Sequence, residues 1–511
     1  MLMLFAVSET AWAATSLPDA VNGVITLTED VELTGWSNIS TTVTLDLAGH
    51  GILLKSGGTI SLSSGGKLTI KDSNPTGDHY ITLDSNGRGT SVSDTSPGGT
   101  EGVNYIKVTG GYITGGGKTG KEAGCVYIAS NSTFVMEGGT ICGNTGNYAG
   151  GVKNNGTFEM TGGKIIYNTA THASNCGGGV LNNGIFRMFG GEISSNHVSD
   201  GSGGVYCIGT LQIKGAPVIK DNTRGDSVSN IELPTIAGNY ETRKILVVDT
   251  LTAGANIHVT PNVSRGTVIE KGGERTADLT ETEAGYFHCD DTNYVVALES
   301  GSVKFKLPLP TLNDIESKTY NGNAQEPTIT FNNATLTKDT DYTVSYKDSQ
   351  GNDVTSLINA DTYTVTVTGI GNYGGTAEKT FTIVPFRVVV TAKNDPYTPG
   401  TYYTTFYHSS QSYVADCEVY YVTARADGRL TLVKADGNII KAGEGVILKS
   451  STASIQLTEA VVSADYDSLL TGSDSDTTVE NALVLSLGEN GVRFYKYSGT
   501  VGAHKAYLPA Q

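Results

Sequence analysis

The stretch GGVKNNGTFEMTGGKIIYN, residues 150–168, returns as GGVLNNGIFRMFGGEISSN at residues 178–196. No other feature limits the fold as strongly. Aligned on the valine after the glycines, four copies begin at Val126, Val152, Val180 and Val205, in steps of 26, 28 and 25 residues. Each then carries an apolar pair two positions apart: Phe134 and Met136, Phe158 and Met160, Phe186 and Met188, Leu211 and Ile213. A glycine pair follows at 138–139, 162–163 and 190–191. Next come Ile141, Ile165, Ile193 and Ile219, and three residues later Asn144, Asn168, Asn196 and Asn222. Repetition at this period means a solenoid, because one copy cannot enclose its own apolar face and buries it against the next.

Within a copy, apolar residues stand two apart in three short runs separated by Gly or Asn. That is the pattern of strands with one face inside. Each copy therefore reads as one three-stranded coil of a parallel β-helix, with coils stacked at ~4.8 Å and Val, Phe and Ile each lying on its own kind. The glycine pairs allow corners with positive φ. The four asparagines are expected to take the left-handed conformation themselves and to form a structural ladder, hydrogen-bonding from coil to coil. A leucine-rich repeat has a similar period but needs L-x-x-L-x-L-x-x-N, which the chain lacks.

Looser alternating strands precede the tight copies in GVITLTEDVELTGW, TTVTLDLAGHGILL, GGTISLSSGGKLTIKDS and YITLDSNGRG, and residues 78–102 read as containing a polar loop. After Asn222, RKILVVDTLTAGANIHVTPN and YVVALESGSVKFKL continue as β structure without the repeat. These are expected to close the stack, whose strand edges would otherwise lie open.

Length varies at one corner. Val to Phe takes 6 residues in three copies and Phe to Ile takes 7, whereas Asn to the next Val takes 8, 12 and 9. Insertions in a solenoid gather on one face, often the binding face. The variable corner holds TATHASNCGG (169–178) and HVSDGSGG (197–204), so His172, Asn175, His197 and Asp200 form the candidate binding edge.

Composition carries the β reading beyond the repeat. Glycine, at 65 residues against 13 prolines, makes the turns, and Tyr outnumbers Phe 26 to 12. The densest proline spot, KLPLPTL at 306–312, marks a boundary. Beyond it Tyr363, Val365, Val367, Phe381 and Ile383 alternate as in a small β-sandwich, and residues 386–511 form a third β unit. The fold expected is all-β, with a solenoid and its cap over residues 14–306, a sandwich over 307–385 and a C-terminal β domain over 386–511. Residues 1–13 read as the rear of a secretory signal, a short apolar run ending in Ala11-Trp12-Ala13, which places the chain in the extracellular space or at the cell surface. No run of ~20 apolar residues follows, so no transmembrane segment is expected.

A formal net charge of -17 argues against nucleic acid or an anionic membrane as partner. The six cysteines, Cys125, Cys142, Cys176, Cys207, Cys289 and Cys417, include no C-x-x-C pair and no metal-ligand spacing. They read as mostly free thiols, and neither metal nor cofactor is expected. Polysaccharide lyases and glycosidases also use β-helices, but they need paired carboxylates or carboxylate-held calcium with a base. The acids of the tight copies are few. Glu159 shares its slot with Arg187 one coil on, and Lys164 shares with Glu192, so these read as a charge ladder rather than as catalytic groups. No catalytic residue is assigned.

The segments LDLAGHGI, GGKLTIKDS and GGVKNNGTFEMTGGKIIYN resemble the β-helical repeat regions of adhesin-like surface proteins from host-associated anaerobic bacteria. The resemblance covers roughly residues 17–306. LTKDTDYTVSYKD and NADTYTVTVTGIGNYGGTAEKTFTI look like bacterial Ig-like modules, and IKAGEGVILKS and GVRFYKYSGTVGAHKAYL look like a C-terminal β module of similar exported proteins. The resemblance implies a right-handed, pectate-lyase-like parallel β-helix followed by an Ig-like β-sandwich and a C-terminal β domain. It implies secretion or a cell-surface site and brings no catalytic residues. The function expected is non-catalytic binding of an extracellular glycan or protein ligand. The alternatives are a carbohydrate-active β-helix enzyme, and a glycan-binding protein that uses its Tyr-rich C-terminal unit.

Overall fold

The computed structural model describes residues 14–117, 122–234, 243–261, 268–460, 465–489 and 491–510. The expected secretory segment, 1–13, lies outside them. The chain is nearly all β and divides into two compact units. One comprises residues 1–309 with 337–342 and 368–376; the other comprises 310–336, 343–367 and 377–511.

In the first unit each repeat supplies one strand to each of three long sheets, of twelve, nine and seven strands among the described residues. The copy beginning at Val152 supplies Val152–Asn154, Thr157–Met160 and Lys164–Ile166. Neighbouring copies pair in parallel, and like residues meet. Val126, Val152, Val180 and Val205 are in register, as are Phe134, Phe158, Phe186 and Leu211. Ile141, Ile165, Ile193 and Ile219 complete the third row. All twelve side chains are buried in one continuous core. The Phe158 and Phe186 rings lie 4.6 Å apart at 2°, the offset-stacked spacing aromatic rings favour. The arrangement fits a β-helix-like solenoid.

The corners differ from expectation in one respect. The left-handed residue is not the asparagine but the one before it: Gly143 (φ 57°), Tyr167 (53°), Ser195 (57°) and Asp221 (56°). The asparagine itself stays in ordinary backbone space because its side chain must point inward to bond the turn. The corner ahead of each valine is closed by glycine for a different reason. A Cβ on Gly150 would stand 2.4 Å from the carbonyl oxygen of Gly178 in the next coil, so the coils can approach only where the side chain is missing.

Residues 78–109 hold more strand than the sequence reading gave them. The strand expected in YITLDSNGRG is present as Asp78–Leu83, and it is the centre of a three-stranded antiparallel sheet, between Gly89–Ser93 and Tyr105–Thr109. Its Ile81, Val92, Ile106 and Val108 pack on Tyr112, Cys142 and Ile166, the outward residues of the isoleucine sheet. The polar turn at 94–101 drew attention away from the alternation on either side of it.

Past Asn222 the stack gains further parallel strands, Lys244–Leu251, Asn256–Val259, Val268–Lys271 and Phe287–Cys289. The antiparallel hairpin Val295–Glu299 and Ser302–Pro308 then covers the last edge of the phenylalanine sheet, the remedy for an unpaired strand. A one-turn helix, Glu281–Ala284, is held by a capping box between Thr280 and Glu283. Arg275 grips the buried Glu283 carboxylate with two bonds of 2.7 and 2.8 Å.

The second unit has no repeat. Among the described residues, the strands between 318 and 384 other than Tyr373–Gly374 form a five-stranded sheet, and those between 387 and 508 form sheets of four, five and four strands, with no strand shared between the two groups. Tyr363, Phe381, Phe406, Tyr413 and Tyr421 are buried in it. Among the described residues no helix of the chain is long and apolar enough to cross a membrane.

Candidate functional site

Two corners of the solenoid carry its polar residues, and they are built differently. At the first, Asn144 donates from its backbone N and its side-chain Nδ2 to Oδ1 of Asn168, at 3.2 and 2.9 Å. Asn168 does the same to Asn196, Asn196 to Asn222, and Asn222 to Asn230. Each Nδ2 also reaches two carbonyls of the turn; for Asn168 these are Ile141 and Ile166, both at 3.0 Å. All five asparagines are fully buried. The chain of amides ends on a carboxylate: Asp290 accepts from Asn230 at 2.8 and 2.7 Å and from the Thr260 hydroxyl at 2.6 Å. An acceptor-only group is the natural terminus for a file of donors. Asn230 and Asp290 escaped the sequence reading because they lie where the repeat has lapsed.

A second, shorter file runs from Asn154 to Asn182 at 2.7 Å and on to the Cys207 sulfur at 3.2 Å. Its signal was present in the NN of both opening segments. On the outer surface, Lys164 and Glu192 are in register and 3.4 Å apart. Glu159 and Arg187 are also in register, with Arg187 Nε donating to Gln212 of the following coil at 3.1 Å.

The variable corner is less open than its composition suggests. It begins with a fourth, two-residue strand in each coil, pairing Thr145–Gly146, Thr169–Ala170, His197–Val198 and Thr223–Arg224. It rejoins the ladder at Ala149, Gly177 and Ser202. The extra length is thus confined to residues 171–176 and 199–201. Ala170, Cys176 and Val198 make a small core of their own, and burial lifts the Cys176 thiol to about 11.

The four candidate residues do not converge. His172, half-buried, lies against Tyr148 with ring centroids 4.2 Å apart and the planes tilted by 32°, and its Nδ1 lies 2.8 Å from the Ser174 carbonyl. Exposed Asn175 accepts a 2.6 Å bond from the Tyr206 hydroxyl. His197 meets Thr223 through Nδ1 at 2.9 Å. Asp200 caps the Gly201 N–H at 3.0 Å, and its carbonyl accepts from Cys176 at 2.6 Å.

Residues 171–176 instead fold over a row that the sequence reading missed. The residue after each valine points outward from the seven-stranded sheet, and the register lines up Tyr127, Lys153, Leu181, Tyr206 and Glu232. The period-two pattern held this signal, since whatever follows an inward valine faces out. Lys153 Nζ sits 5.1 Å from the Tyr148 ring centre and 6.0 Å from that of Tyr127, and pairs with Glu122 at 2.9 Å. Burial, with help from Glu232, Cys176 and Asp200, pushes the Tyr206 phenol up to about 12. Burial also raises the Glu232 carboxyl above its ordinary value, against the pull of Arg224 at 3.4 Å and with the push of Asp200. The site therefore offers aromatic faces, one flanked ammonium, amide and imidazole edges, and one carboxyl whose hold on its proton is strengthened by burial. Comparison with protein-family models, with curated proteins and with solved structures finds no match for this chain.

Proposed function

We propose that this chain is a non-catalytic, exported, adhesin-like protein that binds an extracellular glycan. In this reading residues 14–306 form a right-handed parallel β-helix, 307–385 an Ig-like sandwich and 386–511 a C-terminal β domain. The observation that carries the binding reading is the outward row beside the variable corner. Half-buried Tyr127, Tyr148 and His172 supply ring faces on which sugar C–H groups can lie, while exposed Asn175 supplies a directional polar contact; Tyr206 and Lys153, both buried, hold the row in place from beneath. Mostly apolar surfaces with a few placed polar groups are how small-ligand sites are built. The coils hold these groups in fixed register, so little side-chain freedom is lost on binding. The test is a panel of acidic and neutral polysaccharides, scored for retention and for cleavage. Retention without cleavage supports the proposal, and cleavage of any member overturns it.

A second reading, a carbohydrate-active enzyme, is favoured by one observation, the raised carboxyl of Glu232. The general acid of a glycosidase is a carboxyl raised above its ordinary value, the direction in which burial moves Glu232. If cleavage appears, Glu232→Gln should abolish it; cleavage that survives that substitution removes Glu232 from this role.

A further inference from the structure

We propose that the second unit binds one divalent transition ion of the zinc class at His408, Asp474 and His504. These residues come from three separate turns. His408 follows the strand Tyr402–Phe406, Asp474 follows Thr471–Gly472, and His504 lies between Gly491–Val501 and Ala506–Leu508. Backbone bonds lock the turns together: Tyr407 N donates to the His504 carbonyl at 3.0 Å, and His504 N to the Ser473 carbonyl at 2.8 Å. His504 is held at φ 56°, a conformation a non-glycine residue adopts at a cost and often at functional positions.

One donor atom from each residue lies within 4.8 Å of one from each of the others. The imidazoles stack at 5.1 Å and 10°. Both present Nδ1 to Oδ1 of Asp474, His504 at 3.4 Å and His408 at 4.0 Å. Ligands ~2.0–2.1 Å from a tetrahedral ion stand about 3.3 Å from one another. His504 and Asp474 are already at that spacing, and His408 must move about 0.7 Å closer to Asp474. The His408 Nδ1 accepts weakly from Gln411 N at 3.2 Å and Ser410 N at 3.4 Å. An ion bound here replaces these weak bonds and the 3.3 Å contact between His504 Nδ1 and the Tyr407 carbonyl. Ser409 fixes the carboxylate, donating from its backbone N to Oδ1 at 3.0 Å and from its hydroxyl to Oδ2, as outer partners of metal ligands do. Two imidazoles and one carboxylate suit zinc, cobalt or nickel rather than calcium.

The first unit provides a control. His258 and His288 also lie close, with ring centres 4.7 Å apart and tilted by 36°, and Asp290 is 3.8 Å from His258, but both Asp290 oxygens already end the asparagine ladder. The experiment is calorimetric titration of the full chain, stripped with chelator, with Zn2+ and then Ca2+. One Zn2+ per chain is expected, with no saturable Ca2+ uptake. His504→Gln and Asp474→Asn should each weaken Zn2+ binding by about tenfold or more, and His288→Gln should leave it unchanged. Circular dichroism identifies any variant that fails to fold. For the wild-type chain alone, Co2+ should give the visible absorption of a nitrogen- and oxygen-ligated tetrahedral ion. Absence of saturable Zn2+ binding, absence of that absorption, or equal affinity in folded His504→Gln and Asp474→Asn would overturn the assignment.

Discussion

The asparagine corner and the variable corner belong to the same coils, yet they obey different rules. At the first, the same residue meets its own copy through the same two bonds, four times over, and the file ends on a carboxylate. At the second, His172, Asn175, His197 and Asp200 each have a different partner, and none repeats its neighbour's contact. Identity from coil to coil is what a stack needs in order to hold, because each buried amide must find a partner at one fixed spacing. Departure from identity costs the stack little where a corner is partly solvated. It is there that side chains of distinct chemistry collect. In this chain repetition accounts for the shape, and the breaks in repetition locate the candidate binding groups.

The largest expected effect falls on the identical corner. Asn168→Leu strips the turn carbonyls of Ile141 and Ile166 and the N–H of Asn144 of their partner. At ~1–3 kcal/mol for each buried group left unpaired, the first unit should lose about 3 kcal/mol or more in denaturant unfolding. A variant that unfolds with the wild type would remove the distinction between the corners. Next comes the end of the stack, where no repeat operates. The Arg275 guanidinium pulls the Glu283 carboxyl down to about 2, below the ~4.3 of an unfolded glutamate. Because the folded value is the lower one, its contribution is complete above pH ~4.3 and is lost as pH falls toward 2. Glu283→Gln should cost about 2–3 kcal/mol at neutral pH and flatten stability between those limits. An unchanged acid profile would mean that the cap does not depend on this pair.

Smaller still is the outer charge slot. Lys164 is more than half exposed and pairs with Glu192 at 3.4 Å, so Lys164→Gln should change stability by less than ~1 kcal/mol and leave binding intact. Loss of polysaccharide retention in that variant would move the functional face to the isoleucine sheet. The smallest stability change is expected at the variable corner. Deleting Ala173 and Ser174, which lie within the extra length, should leave unfolding within about 0.5 kcal/mol of wild type. A larger loss would mean that this corner, too, is structural.

The repeat made the three sheets, their register and the four-asparagine ladder legible, because period-two alternation and constant spacing translate directly into which residues face in and which meet. Its resolution stopped at the turn itself. Whether Asn168 or Tyr167 takes the left-handed conformation depends on where the amide must point, which no spacing records. Of the sheet at 78–109 only the first strand was legible, its two partners being obscured by the polar tip, and Asn230 and Asp290 were hidden by the lapse of the pattern. The outward row of Tyr127, Lys153 and Tyr206 could have been read from the residue after each valine. The coverage of that row by 171–176 could not, since it rests on the contacts Tyr148–His172 and Tyr206–Asn175 across different coils. His408, Asp474 and His504 carry no sequence signal at all: they are far apart in the chain and meet only through turn geometry.

The most direct test of the account compares the wild-type chain with Tyr148→Ala and His172→Ala on the polysaccharide panel, with thermal unfolding measured alongside. Both rings are only half-buried, so both variants should melt with the wild type. Each should lose about tenfold or more in affinity for whichever polysaccharide the wild type retains, the equivalent of ~1.4 kcal/mol. Unchanged affinity in both variants, with unchanged melting, would contradict the claim that the breaks in the repeat mark the binding face.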